Sequence, residues 1–166
     1  MDIRAALAAE HSKKQTMRIV EYVGDDVERF RKLMSVFLGN DYRPTQRASW
    51  AVNCCVEKHP SLVRPYFKRL IGLLEDREAH NAVRRNVARM LQFVEIPNSL
   101  KGRTFDACYD LLNDPAEPVA VRVFALSVAA RIAEGQPDLR RELQLAVKSH
   151  LPHTSVAFHK RARLVL

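Results

Sequence analysis

The chain has 166 residues, of which 47% are hydrophobic, enough for one domain with a substantial core. Five glycines are too few for a β-rich protein with many tight turns, and a 7% aromatic content beside plentiful Leu, Val and Ala suits helix-on-helix packing. The net charge of +8 admits an anionic partner such as nucleic acid, or reflects Arg and Lys on exposed helical faces. No window approaches the roughly 18 apolar residues of a membrane span, and Met1 to Glu10 does not read as a secretory signal. Cys54, Cys55 and Cys108 are odd in number and two are adjacent. That argues against a disulfide framework and for a reducing, cytoplasmic compartment.

Helical periodicity runs through the chain. Ile3 and Leu7 share one face of a short opening helix, and Ser12 is placed to cap a second helix carrying Met17, Val20 and Val23. Gly24 and Asp25 stop it. Asp25 or Asp26 caps a third helix with Val27, Phe30, Met34, Phe37 and Leu38 on one face, ended by Gly39-Asn40. A fourth helix starts at Asp41, with Pro44 in its first turn, and breaks at His59-Pro60. Ser61 opens the next, with Leu62, Phe67, Leu70, Ile71 and Leu74 facing inward and Pro65 tolerated near its start. The same pair recurs from Ala79 to Val94 and from Ser99 to Leu112, broken at Ile96-Pro97 and Asp114-Pro115. It recurs again from Pro118 to Ile132 and from Leu139 to Leu151, followed by a final helix from Val156 to Leu166.

These pairs carry one landmark pattern. Arg47, Arg85 and Arg122 head three copies at spacings of 38 and 37, and Pro60, Pro97 and Pro137 each precede Leu62, Leu100 and Leu139. A period near 40 with two helices per unit is that of an α-solenoid. The expected fold is all-α: a right-handed α-α superhelix of about four helical hairpins plus terminal helices, in one domain. Residues 12–40 are a diverged copy, 41–76, 79–114 and 117–151 are clear copies, and 153–166 form a terminal helix.

The pattern resembles the HEAT repeat family. An acidic residue introduces the first helix, followed by Val-Arg and small apolar residues: Asp114-Pro115 before Val121-Arg122 and Ala125, Glu78 before Val83-Arg84 and Ala88, and Asp41 before Arg47. The resemblance implies a scaffold whose concave face, built from the second helices, holds a partner. An acid at a helix start and an Arg about one turn in can pair between adjacent units. Asp41, Arg47, Arg85, Asp114 and Arg122 are therefore read as a structural ladder.

Signals for catalysis are weak. His150 and His153 flank Pro152 with no cysteine nearby, short of a metal ligand set. There is no Gly-x-Ser-x-Gly elbow, no glycine cluster for phosphate, and no Gly-Ser-Ser-x-Met-Pro-x-Lys loop of the fumarase type. The chain is similar in repeat type and basic charge to HEAT-like DNA glycosylases, whose catalytic face needs a carboxylate beside tryptophans. Here Trp50 stands alone, and Cys54 falls where an Asp is wanted, so Trp50 is read as packing between repeats. No catalytic residue, cofactor or metal is assigned.

The binding surface expected lies on the second helices. Arg64, Lys68 and Arg69, then Lys101 and Arg103, then Arg140, Arg141 and Lys148 form a basic ridge, interrupted by Asp106, Asp110 and Glu142. Tyr66 and Tyr109 are the only aromatics placed to stack. The leading partner is a protein or peptide. Nucleic acid is the alternative, although single-strand binders usually offer more aromatics. Leu164-Val165-Leu166 either pack back or seal a dimer; a monomer with the helix packed back is favoured.

Overall fold

The computed structural model describes residues 1–39 and 41–166; Asn40, expected to help end the third helix, lies outside the described residues. Among those residues there are ten α-helices, two short 3₁₀ segments and no strand. The chain divides into two compact units, Met1–Phe67 and Lys68–Leu166.

The first unit holds α1 (Ile3–Ala9), α2 (Lys13–Val23), α3 (Val27–Phe37) and α4 (Tyr42–Lys58). Each of the first three starts on a short polar cap: Asp2, Ser12 and Asp26 accept from the amides of Ala5, Gln15 and Arg29. Gly24 ends α2 with φ of +52°, a left-handed turn that strains a residue with a Cβ, and its N–H returns to the Val20 carbonyl at 2.9 Å. Helix α4 packs against α1, α2 and α3. The core is Ile19, Val23, Phe30, Leu33, Met34 and Phe37 closed by Ala51, Val52 and Cys55, all with at most 1% exposure. Each large side chain buried this way contributes about 1.5–3 kcal/mol.

One local expectation fails. Pro65 does not sit early in an α-helix; residues Pro60–Tyr66 form a 3₁₀ helix and α5 (Phe67–Glu75) begins only afterwards. Two prolines five residues apart remove two backbone donors, and the Pro65 ring excludes α-helical packing against the preceding turn. Leu62 and Val63 are still buried, and Phe30 meets Tyr66 edge-on at 6.0 Å.

The second unit contains α5 from Lys68 onward, α6 (Asn81–Leu91), α7 (Asn98–Asn113), α8 (Val119–Ile132), α9 (Pro137–His150) and α10 (Val156–Ala162). Helix α8 is central: it packs against α6, α7, α9 and α10, and ten of its fourteen residues are buried. A helix contacted on so many sides keeps little polar face, and apolar residues accordingly run round most of Val119–Ile132, with Arg131 exposed in its last turn. The terminal helix is shorter than its pattern suggests, ending at Ala162. It packs on α8; Val165 is buried and its carbonyl accepts from Gln144 Nε2 at 2.6 Å, while Leu164 and Leu166 stay exposed.

The inter-repeat turns recur atom for atom. Asp76 Oδ1 accepts from the Glu78 amide, and Asp114 Oδ1 from the Ala116 amide, each at 2.9 Å. The Ala79 and Glu117 amides donate to the Asp76 and Asp114 carbonyls at 3.2 Å, and Val83 and Val121 return to His80 and Pro118 at 2.8 and 2.9 Å. The structural offset is thus 38, which makes Arg84, not Arg85, the counterpart of Arg122. Arg85 is exposed; Arg84 is 8% exposed. The ladder assignment of Arg85 is corrected accordingly: two arginines stand side by side, and the turn geometry turns the first one inward.

Arg84 donates to the carbonyls of Asp76, Arg77 and Ala79 and pairs with Glu117 at 2.6 Å, joining the turn before α6 to the turn before α8. Glu117 is itself only 7% exposed. Arg122 Nε donates to the Leu112 carbonyl at 2.9 Å, and its guanidinium lies 5.2 Å over the Phe158 ring. Burial pulls Arg122 below the ordinary guanidinium range, opposed by the charge of Asp114. Asp114 gives its carboxylate to Arg77 at 2.7 Å. In the first unit, Arg47 donates to the Leu7 and Ala8 carbonyls at 3.0 and 2.8 Å, while Asp41 faces Arg4 at 3.6 Å. The expected Asp–Arg ladder is therefore mainly an arginine-to-carbonyl arrangement, because helix C-termini leave unsatisfied acceptors that a guanidinium fork fits.

Removing one member of the buried Arg84–Glu117 pair strands the other charge. Arg84→Ala or Glu117→Ala should lower stability by about 3–5 kcal/mol, whereas Arg85→Ala should change it by less than about 0.5 kcal/mol; urea denaturation of the three variants measures both. A second expectation concerns His150, whose Nε2 meets Asn113 Oδ1 at 2.9 Å and whose ring packs edge-on against Phe158. Burial, and then the charge of Arg122, lower its pKa from 6.5. Between that lowered value and 6.5 the unfolded chain binds the extra proton, so stability should fall as pH drops through this window. His150→Gln should flatten the slope in denaturation curves taken from pH 7 downward.

Candidate functional site

The residues of the expected basic ridge fall in both units. In the first unit, Arg64 is exposed within the 3₁₀ segment. In the second, Lys68 is exposed on α5, but Arg103 on α7 is tied to Glu75 by two hydrogen bonds of 2.6 Å. That pair raises Arg103 and lowers Glu75 relative to their ordinary pKa values, the hydrogen bond being the largest cause for both. Lys101 approaches Glu95 at 3.2 Å. Tyr109 is half-buried and stacks on Phe105 at 5.8 Å, so its ring is committed to packing. A hollow of about 130 Å³ beside α5 and α7 is edged by Glu75, Asp106 and Asp110 with Arg77. Acidic residues thus neutralise the α7 portion of the ridge.

Helix α9 is different. Arg140, Arg141 and Lys148 are exposed and have no acid partner among the described residues. Arg141, Leu145 and Lys148 fall at i, i+4 and i+7, one face of the helix. Leu145 is 64% exposed, an apolar side chain between two cations. Leu145 lies two residues past buried Leu143, about 200° round the helix, so the same periodicity that buries Leu143 and Val147 turns it outward.

A concavity lies elsewhere in the second unit, at the turns joining α6 to α7 and α8 to α9. It is a surface cleft of about 600 Å³ with a floor that includes Leu91, Val94, Ile96, Val128 and Ile132. Glu95, Lys101, Arg131 and Glu134 stand around it. Arg131 donates to the Leu91 and Gln92 carbonyls at the end of α6, and its other Nη lies 4.0 Å from Glu95. Lys101, expected on the ridge, is a wall of this cleft. The cleft has no motif; its only sequence trace is the two breaks around Pro97 and Pro137.

Among the described residues no three His, Cys, Asp or Glu side chains converge as metal ligands. No described helix is long and apolar enough to cross a membrane. Trp50 is half-buried on α4, and Cys54 one turn on is half-buried too. Burial pushes the Cys55 and Cys108 thiols up to about 12, so both are protonated and unreactive at neutral pH. Titration with a chromogenic disulfide should therefore find at most one fast thiol in the native protein, Cys54, and three after denaturation.

Comparison with curated proteins returns no match, and comparison with solved structures returns none either. The HEAT repeat domain matches over residues 3–164. The match concerns repeat architecture, and base excision finds no support in it. Spanning both units and every arginine-pinned turn, it shows that the chain belongs to the HEAT repeat family.

Proposed function

We propose that this protein is a non-catalytic scaffold that binds a protein or peptide through its second helices, with α9 as the principal contact. HEAT repeats are commonly protein-interaction scaffolds. The observation that carries the reading is the α9 face, where exposed Leu145 lies between Arg141 and Lys148. An apolar anchor bordered by cations that have no internal partner is the composition of a contact centre with a charged rim. On α7, Arg103 lacks that quality, since Glu75 already holds it through two short hydrogen bonds.

The same cations support a second reading, a nucleic-acid backbone. Salt separates the two. Each phosphate neutralised releases counterions, so duplex DNA affinity should fall steeply from 50 to about 200 mM salt if phosphates are the ligand. Undetectable DNA binding at low salt removes that reading.

The scaffold reading is tested with the immobilised full chain and native cytosolic proteins. The triple variant Arg141→Glu, Leu145→Ser, Lys148→Glu should lose the proteins that the parent retains, with its helical circular dichroism unchanged. Arg85→Glu, an exposed change on α6, should retain them. Equal retention by all three proteins would remove α9 as the contact.

A further inference from the structure

The cleft beside α7 holds an arrangement that packing does not require. Lys101 and Arg131 come from different helices and converge on one carboxylate, Glu95, at 3.2 and 4.0 Å. Glu95 sits between α6 and α7 and its side chain is 80% exposed. An exposed pair of this kind is worth about 1 kcal/mol or less, so water and other anions exchange with it readily. Two cations facing one weakly held acid, above a floor of Val94, Ile96 and Val128, form a subsite for a carboxylate attached to an apolar body. Helix α7 starts at the same wall behind Pro97, which supplies no side-chain cap. On the other side Glu134, which has no ion partner among the described residues, rejects a second acid and suits a cation.

We infer that this cleft is a peptide-docking site, in which Glu95 holds the place of a ligand carboxylate. Its occupant is a short peptide segment with an acidic residue, then apolar residues, then a basic one. The charge pattern of the rim selects it: the acid displaces Glu95 from Lys101 and Arg131, the apolar side chains cover the floor, and the base faces Glu134. The inference rests on the scaffold reading but concerns a surface separate from the α9 face.

Gly102 supplies a sharp probe. It lines the cleft, and a Cβ added there would meet nothing within 4 Å. Leucine at this helical position fills the cleft while improving helix propensity. The experiment follows backbone amide shifts of the isotope-labelled full chain as a capped peptide of one glutamate, two leucines and one lysine is added. Saturable shifts should appear at Val94, Ile96, Gly102 and Arg131. Replacing the peptide glutamate by glutamine should weaken binding roughly threefold, as should Lys101→Met, the effect of one exposed ion pair. Glu95→Gln should tighten binding by roughly the same factor, because the internal competitor is gone. Gly102→Leu should abolish the saturable shifts. Absence of saturable shifts in the parent, shifts centred elsewhere, or unchanged affinity in Glu95→Gln overturns the inference. Equal binding of octanoate would show that a free carboxylate suffices and would also overturn it. If the peptide fails here while the α9 triple variant still loses its partners, the cleft inference falls and the scaffold reading stands.

Discussion

Every helix leaves carbonyl groups without partners in its last turn, and the ten short α-helices among the described residues have many such ends to satisfy. Here arginine does much of that work. Arg29 reaches the Tyr22 carbonyl near the end of α2, and Arg47 reaches the end of α1. Arg84 holds the turn after α5, Arg122 the end of α7 and Arg131 the end of α6. A guanidinium offers five donors in a fixed plane and stays charged, so it can serve several carbonyls at a helix terminus where the macrodipole already favours a cation. The tightest instance is Arg84, which joins three carbonyls and Glu117 in one buried cluster. Helix positions in the second unit follow from these fastenings as well as from the apolar core.

This arrangement divides the basic residues by role. A net charge of +8 suggests an anion-binding surface when read as a total. Counted by contact, several cations are already paired: Arg103 with Glu75, Arg77 with Asp114, and Arg84 with Glu117. Those left at the surface without an acid in the second unit include Arg140, Arg141 and Lys148, and they share α9. The charge available to a partner is thus smaller and more local than composition implies.

The fold class was readable because two helices per 38 residues leave a strong periodic trace and because prolines mark the breaks. The errors are equally physical. Arg85 matched the spacing as well as Arg84 did, and only the hydrogen bonds of the Asp76 turn decide which of two neighbours faces inward. Pro65 looked compatible with a first helical turn, but Pro60 upstream shifts the start of α5 to Phe67. The cleft was invisible, since it is made by the ends of four helices whose residues are far apart in sequence. Leu145, by contrast, was legible from spacing, since it falls off the face that Leu143 and Val147 bury.

The identical turns at Asp76 and Asp114 have a consequence for how such a chain changes length. Between them lies a segment whose two ends make the same turn backbone bonds and the same carboxylate-to-amide bond. Such a segment behaves as an interchangeable cassette: a duplication or deletion of the whole 38-residue unit meets matching ends at its junctions, whereas a change of any other length brings mismatched halves together. Growth by complete units is then the path of least disruption. The residues that must adapt afterwards are few, chiefly the acid that faces each inward arginine: Glu117 answers Arg84, while the arginine one unit later, Arg122, is answered by an aromatic ring instead.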